Sequence, residues 1–160
     1  MIRQVHIDDA KSLLEIYNYF VSNSVVTFDI EPLSLDAFEN KMAHIIAEYP
    51  FLVFEESNEL LGYAYGSRFR PKPAYKNTVE TTVYVKNGLH GKQIGTQLYK
   101  ELLQLLKKQN LHVALGVLTL PNDASVKLHE KFNFKLVGHF KEVGFKFGKW
   151  LDVGVYQLNL

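Results

Sequence analysis

The stretch from Thr78 to Thr96 restricts the possible folds more than any other part of the chain. Thr78-Val79-Glu80-Thr81-Thr82-Val83-Tyr84-Val85 is β-branched or aromatic at nearly every position and predicts a strand. It passes through Lys86-Asn87-Gly88 into a helix from Gly91 to Gln109, where Ile94, Leu98, Leu102, Leu105 and Leu106 make a broad apolar face and Asn110 is the expected C-cap. A β-branched strand that turns at once into an amphipathic helix is the signature of an α/β domain.

The rest of the chain supplies further elements of both kinds. Ile2 to His6 reads as a short strand, and Asp8 as the cap of a helix with Leu13, Ile16, Tyr17, Phe20 and Val21 at helical spacing. After a polar break at Ser22 to Ser24, Ser34 to Tyr49 repeats the pattern through Phe38, Met42, Ile45 and Ile46, with Pro32 at its start and Pro50 at its end. Phe51 to Glu56 and Leu60 to Phe69 predict a hairpin about Ser57-Asn58-Glu59, and Arg70-Pro71-Lys72-Pro73 forces a loop. Val113 to Leu118 reads as a strand, and Pro121-Asn122-Asp123 opens a helix reaching Phe132. Two strands, Lys135 to Lys141 and Trp150 to Leu158, flank a loop holding Gly144 and Gly148. The predicted order is β-α-α-β-β-β-α-β-α-β-β. With 160 residues and no repeat, low-complexity tract or linker, residues 1–160 read as a single α/β domain with a mixed sheet.

Composition removes several functional classes. The chain has no cysteine, which excludes disulfides, Cys-ligated zinc, iron–sulfur clusters and a thiol nucleophile. Eighteen Lys and Arg against seventeen Asp and Glu leave a net charge of +1, so there is no bulk attraction to nucleic acid. Lys141 to Trp150 mixes Lys141, Lys146 and Lys149 with aromatic residues, but Glu142 and Asp152 interrupt it. No metal site stands out, because the six histidines show no i,i+4 pair. No apolar run approaches the roughly 18 residues of a membrane span, and the expected location is the cytoplasm.

Chemistry is concentrated where the central helix begins. His90-Gly91-Lys92-Gln93-Ile94-Gly95 places glycines and a lysine at a helix N-terminus, where free backbone N–H groups and the helix dipole favour an anion such as a diphosphate. Taken alone, the same glycines equally suit a tight turn and helix packing. The spacing is neither a Walker A loop nor a dinucleotide fingerprint.

These residues resemble the acetyl-CoA loop of the Gcn5-related N-acetyltransferases (GNAT), written Gln/Arg-x-x-Gly-x-Gly/Ala. His90 stands where Gln or Arg is usual, Gln93 stands where the first glycine is usual, and Gly95 keeps the last. The resemblance extends over essentially the whole chain, in order, through Ile16-Tyr17-Asn18, Thr27-Phe28, Glu31-Pro32, Gly62-Tyr63-Ala64, Thr78-Val79-Glu80 and Val83-Tyr84-Val85. It continues through Pro121-Asn122, Ser125-Val126, Leu128-His129-Glu130-Lys131, Val143 to Trp150 and Leu151-Asp152-Val153. In these segments the chain is similar to the phosphinothricin and methionine sulfoximine acetyltransferase branch.

The resemblance implies a GNAT fold with a mostly antiparallel twisted sheet flanked by helices, a homodimer, and acetyl-CoA as cosubstrate without a metal. It implies Glu80, three residues before Val83, as the general base. It places the backbone of Val83, Tyr84 and Val85 along the acetyl and pantetheine groups, and Gly91, Lys92, Gln93, Ile94, Gly95 and Thr96 around the diphosphate. Asn122 would contact the pantetheine arm, and Lys131 the CoA phosphates. His129 occupies the slot from which a tyrosine protonates the departing thiolate in many relatives. The amine substrate would meet Phe28, Glu31, Arg70, Pro73, Ala74 and Tyr75, with Arg70 as a fork for a carboxylate and Lys72 in place of the usual arginine. Without the resemblance, each has an ordinary reading: Glu80 as a solvated strand carboxylate, His129 as structural, Phe28 as core, and Lys131 and Arg70 as surface charges.

The energetics of the amine favour amino-acid-like substrates. An α-amine of pKa about 8 is about one-tenth neutral at pH 7 and costs about 1.4 kcal/mol to deprotonate, against about 4.6 kcal/mol for a lysine ε-amine. With no cysteine, direct attack on the thioester is expected. Acetylation of a protein N-terminus or polyamine, and a non-catalytic acyl-CoA sensor, are the alternatives that the sequence leaves open.

Overall fold

Phe51-Leu52-Val53-Phe54 has no polar residue because both faces of its strand are buried. In the computed structural model, which describes residues 1–160, the strands are β1 (Ile2–Gln4), β2 (Phe51–Glu56), β3 (Glu59–Arg68), β4 (Thr78–Val85), β5 (Val113–Leu120), β6 (Lys135–Lys146) and β7 (Lys149–Asn159). They form one sheet in the order β1-β2-β3-β4-β5-β7-β6, in which every neighbouring pair is antiparallel except β4 with β5. The helices are α1 (Ala10–Asn23), α2 (Leu35–Glu48), α3 (Ile94–Lys108) and α4 (Asp123–Lys131). None is long and apolar enough to cross a membrane.

The helices cover the sheet on both faces, giving two cores. On one, α1 and α2 pack Leu13, Tyr17, Val21, Phe38 and Met42 against Phe51, Val53, Tyr63 and Tyr65. On the other, Leu98, Tyr99, Leu102 and Leu106 of α3 pack against Leu52, Ala64, Val79 and Ala114. Strand alternation divides β4 between them: Val79, Val83 and Val85 face α3, while Tyr84 faces α1.

Apart from small shifts at element ends, such as β1 closing at Gln4, β5 reaching Leu120 and α3 being capped by Gln109 with Asn110 left-handed just beyond, three features differ from the sequence expectation. The central helix starts at Ile94 rather than Gly91, because Gly88 (φ 85°), Gly91 (φ 86°) and Gln93 (φ 60°) hold the preceding turn in left-handed conformations. Asp8 does not cap α1; the neighbouring Asp9 accepts the His6 N–H at 2.8 Å and pairs with Arg3. Gly144 lies within β6 rather than in a loop, paired with Leu151, and the turn is reduced to Phe147-Gly148. Gly144 is bare because the Phe28 ring packs on it: a Cβ there would come within 2.3 Å of the ring.

Candidate active site

The site is created where two parallel strands part. β4 and β5 pair only at Thr78↔Val113, Val79↔Ala114 and Glu80↔Leu115, and beyond that point both strands continue without a partner between them. On its other edge β4 remains paired with β3 as far as Val85, and β5 with β7 as far as Leu120. The Lys86 N–H donates to the Leu61 carbonyl at 2.8 Å, so alternate residues of β4 direct their backbone groups to β3. Val83 and Val85 therefore turn theirs into the gap. The Leu160 N–H bond to the His112 carbonyl, 2.9 Å, sets the same alternation on β5 and directs the backbone of Val117 and Thr119 into the gap.

The gap opens into a groove of about 610 Å³, within the range of small-molecule sites. At one end, the first intrahelical bond of α3 runs from Gln97 N–H to the Gln93 carbonyl at 3.0 Å. The amides of Ile94, Gly95 and Thr96 are thus left without helical partners, and all three residues line the groove. Gly95 has nothing but ordinary contacts, none closer than 3.5 Å, around the place a Cβ would occupy. Packing within the protein does not require a glycine there, and the missing side chain leaves the helix N-terminus open to close approach. Lys127 and Lys131 of α4 line the same groove. Asn122 caps α4, its Oδ1 accepting the Ser125 N–H at 3.2 Å, which leaves Nδ2 as a donor.

Glu80 lies at the last pair before the strands separate, half-buried and lining the groove. Burial raises its pKa above the ordinary carboxylate value, an effect partly offset by the positive charge of Lys41 on α2. A carboxylate that holds its proton more readily is a stronger base for an amine. Thr27 and Phe28, from the loop between α1 and α2, flank this end. They are fixed by Lys146, a buried lysine whose Nζ donates to the Thr27 carbonyl at 2.9 Å, and by the Tyr17 hydroxyl, 2.9 Å from Thr27 Oγ1 and bonded to Asp29.

His129 is 2% exposed and fully engaged. Its Nδ1 lies 2.7 Å from the Ser125 carbonyl, which can only accept, so Nδ1 carries the proton and Nε2 accepts from the Tyr99 hydroxyl at 2.9 Å. Burial lowers its pKa and favours this neutral form. With the Tyr99 proton given to His129, the Tyr99 oxygen accepts from Thr81 Oγ1 at 2.5 Å, and the one proton of that hydroxyl is shared with the Leu115 carbonyl, 3.0 Å away at the point of separation. The imidazole rests on Gly116, where a Cβ would come within 2.2 Å of Nε2. In this arrangement His129 has no free N–H for a leaving thiolate; it ties α4 to the strands.

The structure thus brings Phe28, Glu80, Val83, Tyr84, Val85, Gly91, Gln93, Ile94, Gly95, Thr96, Asn122, His129 and Lys131 to one groove. It does not bring Lys92, Glu31, Arg70, Pro73, Ala74 or Tyr75 there. Arg70 stacks instead, its guanidinium 4.8 Å from the Phe69 ring centre and 5.5 Å from that of Tyr75, and Pro73–Tyr75 forms a one-turn 3₁₀ helix. Val117, Thr119 and Val153 were not expected in the lining. Strand alternation would have identified Val117 and Thr119, had the place where pairing stops been known.

A family model described as an acetyltransferase (GNAT) domain matches residues 2–155. Phosphinothricin N-acetyltransferase of Streptomyces coelicolor is 40% identical, covering 96% of this chain and 92% of its own. L-methionine sulfoximine/L-methionine sulfone acetyltransferase of Pseudomonas paraeruginosa is 37% identical, covering 99% and 94%. Among solved structures, a GNAT superfamily phosphinothricin acetyltransferase from Sinorhizobium meliloti, in complex with AcCoA, superposes with a TM-score of 0.97 at 33% identity over 100% of this chain and 88% of that one.

Proposed function

Since the chain belongs to the GNAT acetyltransferase family, we propose that it transfers acetyl from acetyl-CoA to the α-amine of a small amino acid of the phosphinothricin or methionine sulfoximine kind, with Glu80 as general base. The observation that carries this reading is the half-buried carboxylate of Glu80, with its raised pKa, where β4 and β5 part. The diphosphate lies against the Ile94, Gly95 and Thr96 amides, with Lys131 near the phosphates, and the pantetheine arm runs past Asn122 into the gap. This brings the thioester to the freed amides of Val83 and Val85, which supply donors for the carbonyl oxygen as it gains charge.

Glu80 takes the ammonium proton, directly or through a water, and the neutral amine attacks the thioester carbonyl. A C–N bond forms, the C–S bond breaks, and the amide leaves with the acetyl group. The attacking nitrogen still carries a second proton, which passes to the departing thiolate directly or through water, so that the neutral amide and free thiol form without a dedicated acid while Glu80 releases the first proton to solvent. His129 has the part of a positioning residue: it holds α4 in register with the open strands through Tyr99 and Thr81. Release of free thiol from acetyl-CoA, measured with L-methionine sulfoximine, tests the reaction; release in wild type that Glu80→Gln abolishes supports both the substrate class and the base.

The functional unit in this proposal is a homodimer. Phe140, Val143, Phe145, Phe147 and Trp150 on the β6–β7 hairpin are between 52% and 65% exposed, an apolar surface on the edge strand of the sheet and its neighbour that calls for a cover.

A further inference from the structure

The substrate proposed above carries a carboxylate beside its amine, and a cation must meet it. Three cations merit comparison. Arg70 is stacked on Phe69 and Tyr75 and does not line the groove. Lys146 is 3% exposed and already donates to the Thr27 carbonyl, so its charge is committed to holding the loop. Lys41, like Arg70, lies outside the groove lining and over two rings, but those rings belong to the core on the face of the sheet from which Glu80 projects. It is exposed, joins none of the ion pairs, and its Nζ stands 5.3 Å from the ring centre of Tyr17 and 5.7 Å from that of Tyr65.

Strand register connects those rings to the base. Across β3 and β4, Tyr65 pairs with Thr82 and Ser67 with Glu80, so Tyr65 and Glu80 project from the same face as diagonal neighbours. The ammonium held over Tyr65 is thus on the substrate side of the sheet, with Glu80. Tyr17 and Tyr65 are buried, at 5% and 7% exposure, and present fixed ring faces that attract a cation without neutralising it. The result is a cation and a carboxylate on one face of the sheet, not paired with each other, an arrangement that complements an amino-acid zwitterion.

We infer that Lys41 receives the α-carboxylate of the substrate while Glu80 receives its α-ammonium, so that Lys41 sets the preference for amines bearing an adjacent carboxylate. This rests on the acetyltransferase reading given under Proposed function. It is supported by electrostatics: Lys41 is the one charge that offsets the effect of burial on the Glu80 carboxyl.

The test compares wild type, Lys41→Met and Lys41→Arg on two amines, L-methionine sulfoximine and its α-carboxamide, with saturating acetyl-CoA. Lys41→Met is expected to raise KM for the free acid by about 10- to 100-fold, the range of one charge-assisted hydrogen bond. KM for the carboxamide and for acetyl-CoA should stay within about twofold, and Lys41→Arg should recover part of the loss. An unchanged KM for the acid in Lys41→Met, or equal changes for acid and carboxamide, overturns the role of Lys41 and leaves the acetyltransferase reading intact. A wild type that prefers the carboxamide overturns carboxylate recognition itself. A wild type that binds acetyl-CoA but releases no thiol with either amine overturns the substrate reading and the inference with it.

Discussion

At the scale of a single residue, the half-buried carboxylate of Glu80 costs stability, which the proposed role as general base would account for. Burial raises its pKa, so between the unfolded and folded values the native state binds more protons than the unfolded chain, and stability falls as pH rises through that window. Glu80→Gln removes the buried charge. It should raise the melting temperature at neutral pH while lowering kcat by about 10²- to 10⁴-fold, the usual range for a lost general base; thermal melts and initial rates on the same samples check both. With Glu80 as the proposed base, activity would require its ionised carboxylate, so kcat/KM should fall on acidification through a limb above the ordinary carboxylate pKa. Lys41 lowers that pKa, and Lys41→Met should therefore shift the limb to higher pH. The substrate's own ammonium titrates identically in both proteins, so the difference between their pH profiles reports the enzyme. Gln93 is a second residue under constraint, left-handed at φ 60° and ψ 14° where the GNAT loop usually has glycine. Gln93→Gly should stabilise by about 0.5–1 kcal/mol after the extra freedom of glycine in the unfolded chain is deducted, a rise in Tm of about 1–4 °C.

Between elements, the connection that matters most is the chain Ser125–His129–Tyr99–Thr81–Leu115, which joins α4, α3, β4 and β5 where the strands separate. Tyr99→Phe leaves His129 Nε2 buried without a donor and should cost about 1–3 kcal/mol. Gly116→Ala drives a Cβ into the imidazole and should cost about 1–3 kcal/mol. Both are read by denaturant melts, and both should raise KM for acetyl-CoA more than KM for the amine. Most of the architecture was legible in sequence because periodicity reports which face is buried: the β-branched run of β4, the Leu98–Leu102–Leu106 stripe of α3 and the doubly buried Phe51 to Phe54 each predict their place. The groove lining was legible only through motifs near Thr78 to Thr96 and Asn122 to Lys131. The position of Lys41, outside the lining, was not legible either, since on α2 it has the spacing of any solvent-facing lysine and its place over Tyr17 and Tyr65 depends on tertiary packing. Arg70 was expected at the carboxylate on its charge alone; in the structure its guanidinium stacks on Phe69 and Tyr75 and it does not line the groove, which depends on the conformation of the loop.

At the scale of the whole molecule, the proposed reaction divides two tasks between the faces of the sheet. In that proposal the α3 and α4 side, with its free amides and lysines, receives the anionic cosubstrate, the α1 and α2 side, from which Glu80 projects, receives the amine, and the acetyl group passes between the parted strands. The proposed dimer belongs to this scale as well. Trp150→Glu combined with Phe147→Ser should halve the mass seen by sedimentation velocity, and an unchanged mass would remove the hairpin surface as the interface. The central claim, acetyl transfer to an amino acid with Glu80 as base, is tested most directly by acetyl-CoA-dependent thiol release with L-methionine sulfoximine, wild type against Glu80→Gln. The chain has no cysteine to add background. The account predicts steady release in wild type and near-complete loss in the variant, with acetyl-CoA binding retained in both. Equal rates in the two proteins, or no release from a wild type that binds acetyl-CoA, would contradict it.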